Sequence, residues 1–277
     1  MMLAVVFVII LSLLSPSYIE AANYQRIVSL APSITEILFA MGVGEKVVGV
    51  TVFCDRPPEA KKRPKIGGMS NPSVEAILRL RPDIVIVTTD GNPEEVNIRL
   101  NKLGIKTYVF RARRIKELPQ GIRELGRAIG EEIKANVLAR RIEDSIREFG
   151  INREKKRALK ALFIIWPQPL IVAGSDTAID DAFEILGIEN IARRAGSRYP
   201  RYSVEEIIRV SPDIIFIGVG MDPKSKNIKE FSEVLMKRLK DVKAVKEGRV
   251  YYVSDALYRL GPGVIKGIKE LKEYIDE

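Results

Sequence analysis

The chain has 277 residues, a hydrophobic content of 46% and a net charge of +9, a composition that is ordinary for a globular protein of about two domains. It contains no histidine and one cysteine, Cys54, so histidine-dependent triads, histidine-ligated metals, cysteine zinc clusters and intramolecular disulfides are excluded. The basic residues are interleaved with glutamates in helical stretches. This pattern predicts an ion-paired, solvated surface rather than a nucleic-acid interface.

The N-terminal segment begins with an apolar run, Leu3 to Leu14, that has the length of a signal-peptide core and is too short to span a bilayer. Ala21 or Ala22 offers a cleavage position, and we therefore expect residues 1–22 to be a signal peptide. Export would place the protein in the periplasm or at the outer face of the cytoplasmic membrane. A buried N-terminal strand is the alternative, because no Lys or Arg precedes the run.

The first half of the chain, from Arg26 onward, alternates short apolar runs with segments of helical periodicity. The runs that we predict to be strands are "RIVSL", "KVVGVT", "IVIV" and "IKTYVF". The segments between them that we predict to be helices are "SITEILFAMGV", "SVEAILRL" and "EEVNIRLNKLG". This alternation with short loops indicates a parallel sheet with helices on both faces.

The second half repeats the order of the first, because "SVEAILRLRPDIVIV" at 73–87 returns as "SVEEIIRVSPDIIFI" at 203–217. Between the halves we predict one long helix whose apolar stripe is Ile133, Val137, Leu138, Ile142 and Ile146. We therefore expect an α/β protein of two Rossmann-like lobes with parallel sheets, joined by this helix and separated by a ligand cleft. The expected parts are an N-terminal lobe at 23–130, the connecting helix at 131–156 and a C-terminal lobe at 157–277.

Four sequence blocks carry a resemblance to a known family: "RIVSLAPSITEILFAMGVGEKVVGVT", "CDRPPEAKKRPKIGGMSNPSVEAILRLRPDIVIV", "GSDTAIDDAFEILGIENIA" and "YSVEEIIRVSPDIIFIG". In this order they resemble the substrate-binding proteins of ABC importers whose lobes are bridged by one long helix. That family binds vitamin B12 and other corrinoids, ferric siderophores, haem and some metals. The resemblance implies an exported monomer, without a cofactor or bound nucleic acid, that delivers its ligand to a permease dimer with its ATPase subunits.

Within the family the sequence is most similar to the vitamin B12 binders, and this similarity implies the ligand contacts. The loops "VTVFCDRPPEA" and "SRYPRYSVEE" match loops that supply aromatic side chains to the corrin. At two positions where those binders carry tryptophans, this chain has other residues. The segment "VSDALYR" matches a segment of those binders that faces the ligand. The implied contacts are Phe53, Met69, Thr88, Tyr199, Asp255 and Arg259. The alternative for Phe53 and Tyr199 is that their rings pack on the core. The alternative for Asp255 and Arg259 is a local i, i+4 ion pair.

Glu75 and Glu205 occupy the same position in the two copies of the repeated stretch, in the first turn of the predicted helix. The family resemblance implies that these carboxylates dock onto arginines of the two permease subunits, which suits a twofold-symmetric partner. The structural alternative is a carboxylate favoured at a helix N-terminus, with a capping box from Ser203 to Glu206 in the second copy.

The function expected from these features is capture of cobalamin or a related corrinoid for an ABC importer, with no catalytic residues and no metal site. A ferric-siderophore or haem binder of the same class is the alternative ligand assignment. An enzyme with a duplicated α/β fold is the alternative class; the absence of histidine and of a G-x-x-x-x-G-K-[ST] phosphate loop disfavours it.

Overall fold

The computed structural model describes residues 24–151, 159–219 and 227–277, which form two α/β lobes. The sheet of the first lobe has four parallel strands in the order β2-β1-β3-β4. These strands are β1 Ile27–Ser29, β2 Val47–Val50, β3 Ile84–Thr88 and β4 Thr107–Phe110. Every residue of β3 is buried, as expected for a continuous apolar run in a parallel sheet that is covered on both faces.

Five α-helices belong to the first lobe. They are α1 Pro32–Ala40, α2 Pro58–Lys61, α3 Val74–Arg79, α4 Glu94–Lys102 and α5 Leu118–Ile129. Helix α5 ends at Gly130, whose φ of 76° is the left-handed conformation that glycine adopts without steric cost. The predicted signal peptide, residues 1–22, lies outside the described residues and stays a prediction.

One helix, α6 (Glu132–Ile151), connects the lobes and packs along α5. The two helices approach closely because Gly126 of α5 lies against Ala135, where a Cβ on the glycine would come within 2.2 Å of the alanine methyl group. The predicted stripe on α6 is partly wrong, since Ile133 is 83% exposed and Val137 is 55% exposed. The buried face is instead formed by Ala135, Leu138, Ala139 and Ile142. Residues 152–156 of the predicted connecting helix lie outside the described residues.

The sheet of the second lobe has five strands, with β6-β5-β8-β9 in order and β7 paired with β5. They are β5 Lys160–Pro167, β6 Leu170–Val172, β7 Glu189–Asn190, β8 Ile214–Gly218 and β9 Val250–Val253. The pair β5–β6 is antiparallel and the other pairs are parallel, so this sheet departs at one edge from the expected all-parallel arrangement. The helices are α7 Ala178–Leu186, α8 Val204–Val210, α9 Asn227–Arg238, α10 Lys243–Lys246 and α11 Val264–Asp276.

The repeated stretch forms the same helix–strand unit in each lobe, α3–β3 and α8–β8. The aspartate of its Pro–Asp dipeptide makes the same contact in both copies. The Asp83 carboxylate accepts the backbone N–H of Arg26 at 2.8 Å, just before β1, and the Asp213 carboxylate accepts that of Lys160 at 2.8 Å, at the start of β5. Each aspartate therefore ties the unit to the neighbouring central strand of its own sheet.

The hydrophobic core runs from one lobe to the other without interruption. One cluster of buried side chains includes Phe110 of the first sheet, Leu138 of α6 and Phe163 of the second sheet. Two further clusters cover the other faces of the sheets. Because the connecting helix shares the core of both lobes, it is a stiff joint rather than a flexible linker. Within the described residues, no helix has the length and apolar character needed to cross a membrane.

Candidate ligand-binding cleft

Loops that follow the carboxyl ends of the strands in one lobe contact loops of the other lobe. Such crevices are where open parallel sheets bind their ligands. Ion pairs cross this cleft at Arg259–Asp55, Arg56–Asp255, Arg198–Asp90 and Arg114–Asp181. The first two pairs lie beside the outer strands β2 and β9, and the last two lie on the side of β4 and β6. The lobes are therefore bridged at both ends of the cleft.

The bridge on the β2 side is a cluster of five side chains, called here the Arg259 cluster: Glu36, Asp55, Arg56, Asp255 and Arg259. Arg259 is 3% exposed, and its Nη1 donates to Asp55 Oδ1 at 2.5 Å while its Nη2 lies 2.9 Å from Asp255 Oδ2. Its Nη1 also lies 3.5 Å from Glu36 Oε1, and Arg56 donates to Asp255. Three carboxyl groups and two guanidinium groups thus form one ion-paired cluster across the cleft.

The carboxyl groups of the Arg259 cluster differ in their pKa values. Burial raises the pKa of Glu36, and the nearby charges of Arg259 and Arg56 offset this effect only in part. Burial also acts to raise the pKa of Asp55, but the hydrogen bond and charge of Arg259 outweigh it, so that pKa is lowered. Asp55 therefore favours its ionised form in this cluster, whereas ionised Glu36 is disfavoured relative to water.

The sequence-predicted contacts Asp255 and Arg259 both lie in this cluster. The local i, i+4 pair that we considered as an alternative is present, and the same two side chains also reach Arg56 and Asp55 of the other lobe. In this closed arrangement the Asp255 carboxylate and both Nη atoms of Arg259 are engaged by protein groups, whereas Arg259 Nε is buried without a hydrogen-bond partner among the described residues. Their contact with a ligand stays a prediction.

The predicted aromatic contacts, Phe53 and Tyr199, belong to opposite lobes, and both retain large exposed areas. Phe53 is 41% exposed and follows β2, while Tyr199 is 46% exposed in the loop before α8. The Arg198 guanidinium lies 5.5 Å from the centre of the Tyr199 ring. Burial, followed by the charge of Asp90 in the other lobe, raises the Tyr199 pKa. Two rings are thus available as apolar faces beside the cleft.

The other two predicted contacts belong to the first lobe, Met69 in the loop before α3 and Thr88 at the end of β3, where a turn begins. Thr88 is 4% exposed, and its Oγ1 accepts the backbone N–H of Asp90 at 3.1 Å. The Asn92 side chain accepts from Thr88 N at 2.8 Å and donates to Met69 O at 2.9 Å. The Thr88 hydroxyl therefore holds the turn in this conformation. For both residues the ligand contact stays a prediction.

The β4 side of the cleft contains a cavity of about 470 Å³, called here the arginine cavity. It is lined by residues of both lobes: Thr89, Arg111, Arg113, Arg114, Glu117, Asp176 and Arg198. A neighbouring cavity of about 300 Å³ shares three of them: Thr89, Arg111 and Arg113. Four arginines and two acids line this cavity, and two of the arginines, Arg198 and Arg114, also pair with Asp90 and Asp181.

This cavity was not predicted from the sequence, although "FRARR" at residues 110–114 is a usable signal for it. Three arginines within four positions directly follow β4, at the edge where α/β sheets bind ligands. The overall mixture of basic and acidic residues concealed them, because a surface with many ion pairs has the same composition.

The predicted docking residues Glu75 and Glu205 lie in the first turns of α3 and α8, and both are exposed. Ser73 and Ser203 cap these helices by accepting the N–H groups of the residues three positions later. The capping box considered for the second copy is only half formed, because the Glu206 side chain pairs with Arg209. Neither glutamate is needed by the core, and their docking role stays a prediction.

Among the described residues, no group of three or more His, Cys, Asp or Glu side chains is arranged to hold a metal ion. Cys54 is buried, and burial raises the pKa of its thiol. The hydroxyls of Thr35 and Thr51 lie 3.1 Å from its sulfur. Its environment is that of a packed, protonated thiol.

The protein has two α/β lobes on a stiff connecting helix, and ion pairs bridge the lobes across a cleft that has aromatic faces. These features define a two-lobed ligand-binding protein. The periplasmic binding protein family matches residues 27–257. The chain belongs to this family, which confirms the resemblance drawn from the sequence.

Relatives and solved structures agree with this assignment. A vitamin B12-binding protein of Pectobacterium atrosepticum is 30% identical over 212 residues, 75% of this chain and 76% of the relative. An uncharacterized ABC transporter substrate-binding lipoprotein of Bacillus subtilis is 32% identical over 263 residues, 91% of this chain and 80% of the relative.

Two solved structures share the fold. The periplasmic vitamin B12-binding protein of Vibrio cholerae has a TM-score of 0.79 at 22% identity, covering 92% of this chain and 97% of its own. The periplasmic haem-binding protein of Roseiflexus sp. RS-1, in its apo form, has a TM-score of 0.79 at 28% identity, covering 91% and 98%. The expected two-lobe α/β fold is thereby confirmed.

Proposed function

We propose that this protein is the extracytoplasmic, non-enzymatic binding component of an ABC importer and that it captures cobalamin or a related corrinoid. The observation that carries the proposal is the pair of half-exposed rings, Phe53 and Tyr199, on opposite sides of the interlobe cleft. A flat macrocycle held between lobes gains stacking and apolar contact from one ring on each side. The relative from Pectobacterium atrosepticum, named as a vitamin B12-binding protein, supports this ligand class.

The alternative ligand is haem or a ferric siderophore, and the haem-binding structure from Roseiflexus sp. RS-1 supports it. With no histidine in the chain, a tyrosine phenolate is the natural axial ligand for haem iron. Burial raises the pKa of Tyr199, which makes its phenolate harder to form. Stacking on the neutral ring is a use of Tyr199 that needs no phenolate.

The test is a titration of the purified protein with cyanocobalamin, haemin and a ferric siderophore, in which binding is measured by isothermal titration calorimetry. We expect the tightest binding with cyanocobalamin and a loss of affinity of about tenfold or more in Phe53→Ala and Tyr199→Ala, since each removes an aromatic face that would stack on the ligand. Trp166→Phe, in the edge hairpin of the second lobe, is the control. Tight binding of a ferric siderophore without binding of cyanocobalamin would refute the corrinoid assignment.

The proposed partner is a permease dimer with its ATPase subunits, approached by one protein molecule through Glu75 and Glu205. Each lobe presents one exposed carboxylate on an equivalent helix, which suits a partner with twofold symmetry. We expect Glu75→Ala plus Glu205→Ala to leave the ligand affinity unchanged and to weaken binding to the transporter reconstituted in nanodiscs.

The matched control for docking is Glu59→Ala plus Glu230→Ala. These glutamates also lie in first turns of helices, one in each lobe, and both are exposed. Equal transporter affinity for the two double variants would contradict the docking proposal, because the loss would then reflect net charge alone.

A further inference from the structure

The four arginines that line the arginine cavity differ in their carboxylate partners. The two acidic side chains of the cavity are already engaged by protein groups. Asp176 pairs with Arg114 at 3.2 Å, and Glu117 Oε2 accepts the backbone N–H groups of Arg113 and Arg114 at 3.0 and 3.3 Å.

Two of the arginines are committed to bridging the lobes. Arg114 Nε donates to Asp181 Oδ1 at 2.7 Å, and Arg198 Nη1 donates to Asp90 Oδ1 at 3.0 Å. Arg198 is fixed further, since its Nε donates to the carbonyl oxygen of Asp176 at 3.0 Å. These two charges are balanced by carboxylates of the opposite lobe.

The other two, Arg111 and Arg113, have no carboxylate partner in residues 24–151, 159–219 and 227–277. They are alternate residues of the extended chain after β4, and Ala112 between them is 7% exposed. Alternation places both side chains on one side of the chain, away from the core. Arg113 is oriented without being neutralised, because it donates to Oγ1 and O of Thr89 at 3.1 and 3.3 Å.

We infer that Arg111 and Arg113, in the arginine cavity, bind an anionic substituent of the ligand, a phosphate or carboxylate group, while the flat ring lies against the aromatic faces. This inference rests on the proposed function for the location of the ligand. Guanidinium groups suit the task because their donors match the oxygens of phosphate and carboxylate, and hydrogen bonds between charged groups are stronger than neutral ones. The cavity borders the cleft on both lobes, so the substituent would help to hold them closed.

The main test compares two pairs of ligands whose members differ in their anionic groups. Cyanocobalamin carries a nucleotide arm with a phosphodiester that cobinamide lacks, and haemin carries two propionates that its dimethyl ester masks. We expect the wild-type protein to prefer the anionic member of whichever pair it binds by about tenfold or more. Arg111→Gln plus Arg113→Gln should abolish this preference, and Arg111→Lys plus Arg113→Lys should retain part of it because the charge remains.

The matched control is Arg140→Gln plus Arg141→Gln, which removes the same net charge from exposed positions on the connecting helix. It should keep the wild-type preference. The inference is overturned if the wild-type protein binds both members of a pair equally, or if the Arg111→Gln plus Arg113→Gln variant keeps the preference.

A second measurement separates this inference from the choice of macrocycle. Inorganic pyrophosphate at constant ionic strength should raise the Tm of the wild-type protein and of the control variant, but not that of Arg111→Gln plus Arg113→Gln. If no corrinoid binds and this difference persists, the proposed ligand fails and the anion site stands. Equal Tm shifts in all three proteins would overturn the anion site, whatever the ligand is.

Discussion

At the β2 side of the cleft, Arg259 is 3% exposed and is paired with carboxylates of both lobes, whereas at the β4 side Arg111 and Arg113 are exposed and lack such partners in the described part of the chain. The difference follows from solvation. A buried guanidinium group without a partner would cost several kcal/mol, whereas an exposed one keeps its water and costs little. The buried guanidinium group of Arg259 is therefore engaged by protein carboxylates, whereas the exposed groups of Arg111 and Arg113 stay available for an external anion.

The largest expected effect comes from removing the buried charge with Arg259→Met. The substitution leaves the carboxylates of Asp255 and Glu36 buried and less compensated, and breaking a buried ion pair in this way costs about 3 kcal/mol. We expect the free energy of unfolding, measured by urea denaturation at neutral pH, to fall by about that amount.

The matched control is Arg113→Met, the same substitution at the other side of the cleft. Because that side chain is exposed and has no carboxylate partner among the described residues, the change should stay within about 0.5 kcal/mol. Equal destabilisation by the two substitutions would contradict the contrast between the two sides.

A smaller effect concerns Glu36 and pH. Burial raises its pKa above the usual 4.5 in the folded protein, so the folded state keeps the proton to a higher pH than the unfolded state. Stability must then fall as pH rises above about 4.5, until the folded pKa is passed, at no more than about 1.4 kcal/mol per pH unit. Glu36→Gln removes this dependence. We expect the free energy of unfolding of the variant, minus that of the wild type, to increase over this range in urea titrations.

The contribution of Asp55 has the opposite sign, because its pKa is lowered and its stabilisation is lost as pH falls. It is present in both proteins and cancels in the difference. A flat difference for Glu36→Gln would refute the assignment.

The element order was predictable because its signals are local. The repeated stretch forms α3–β3 and α8–β8 as expected, since apolar spacing, a serine cap and a proline act within a few residues. The predicted apolar stripe on α6 was partly wrong because the prediction counted large apolar residues and left out alanine. The structure buries Ala135 against Gly126, and this close approach of the helices leaves Ile133 in solvent.

The candidate site was predictable only in part. Asp255 and Arg259 were found through a matching segment, but their partners Asp55 and Glu36 are 204 and 223 positions from Arg259. No local pattern reports on a pairing at that separation. The lack of a carboxylate partner for Arg113 among the described residues was equally hidden, because it depends on which carboxylates the folded chain brings near.

The sequence by itself determined two copies of an α/β unit, the joining helix and the family, because periodicity, caps and repeated motifs operate over short distances along the chain. Only the tertiary structure decided which charges are buried and paired at the Arg259 cluster. It also decided which arginines line the arginine cavity without a carboxylate partner among the described residues. The physical reason is that the energy of a charge depends on its solvation and its neighbours, and here both are set by how the two lobes meet.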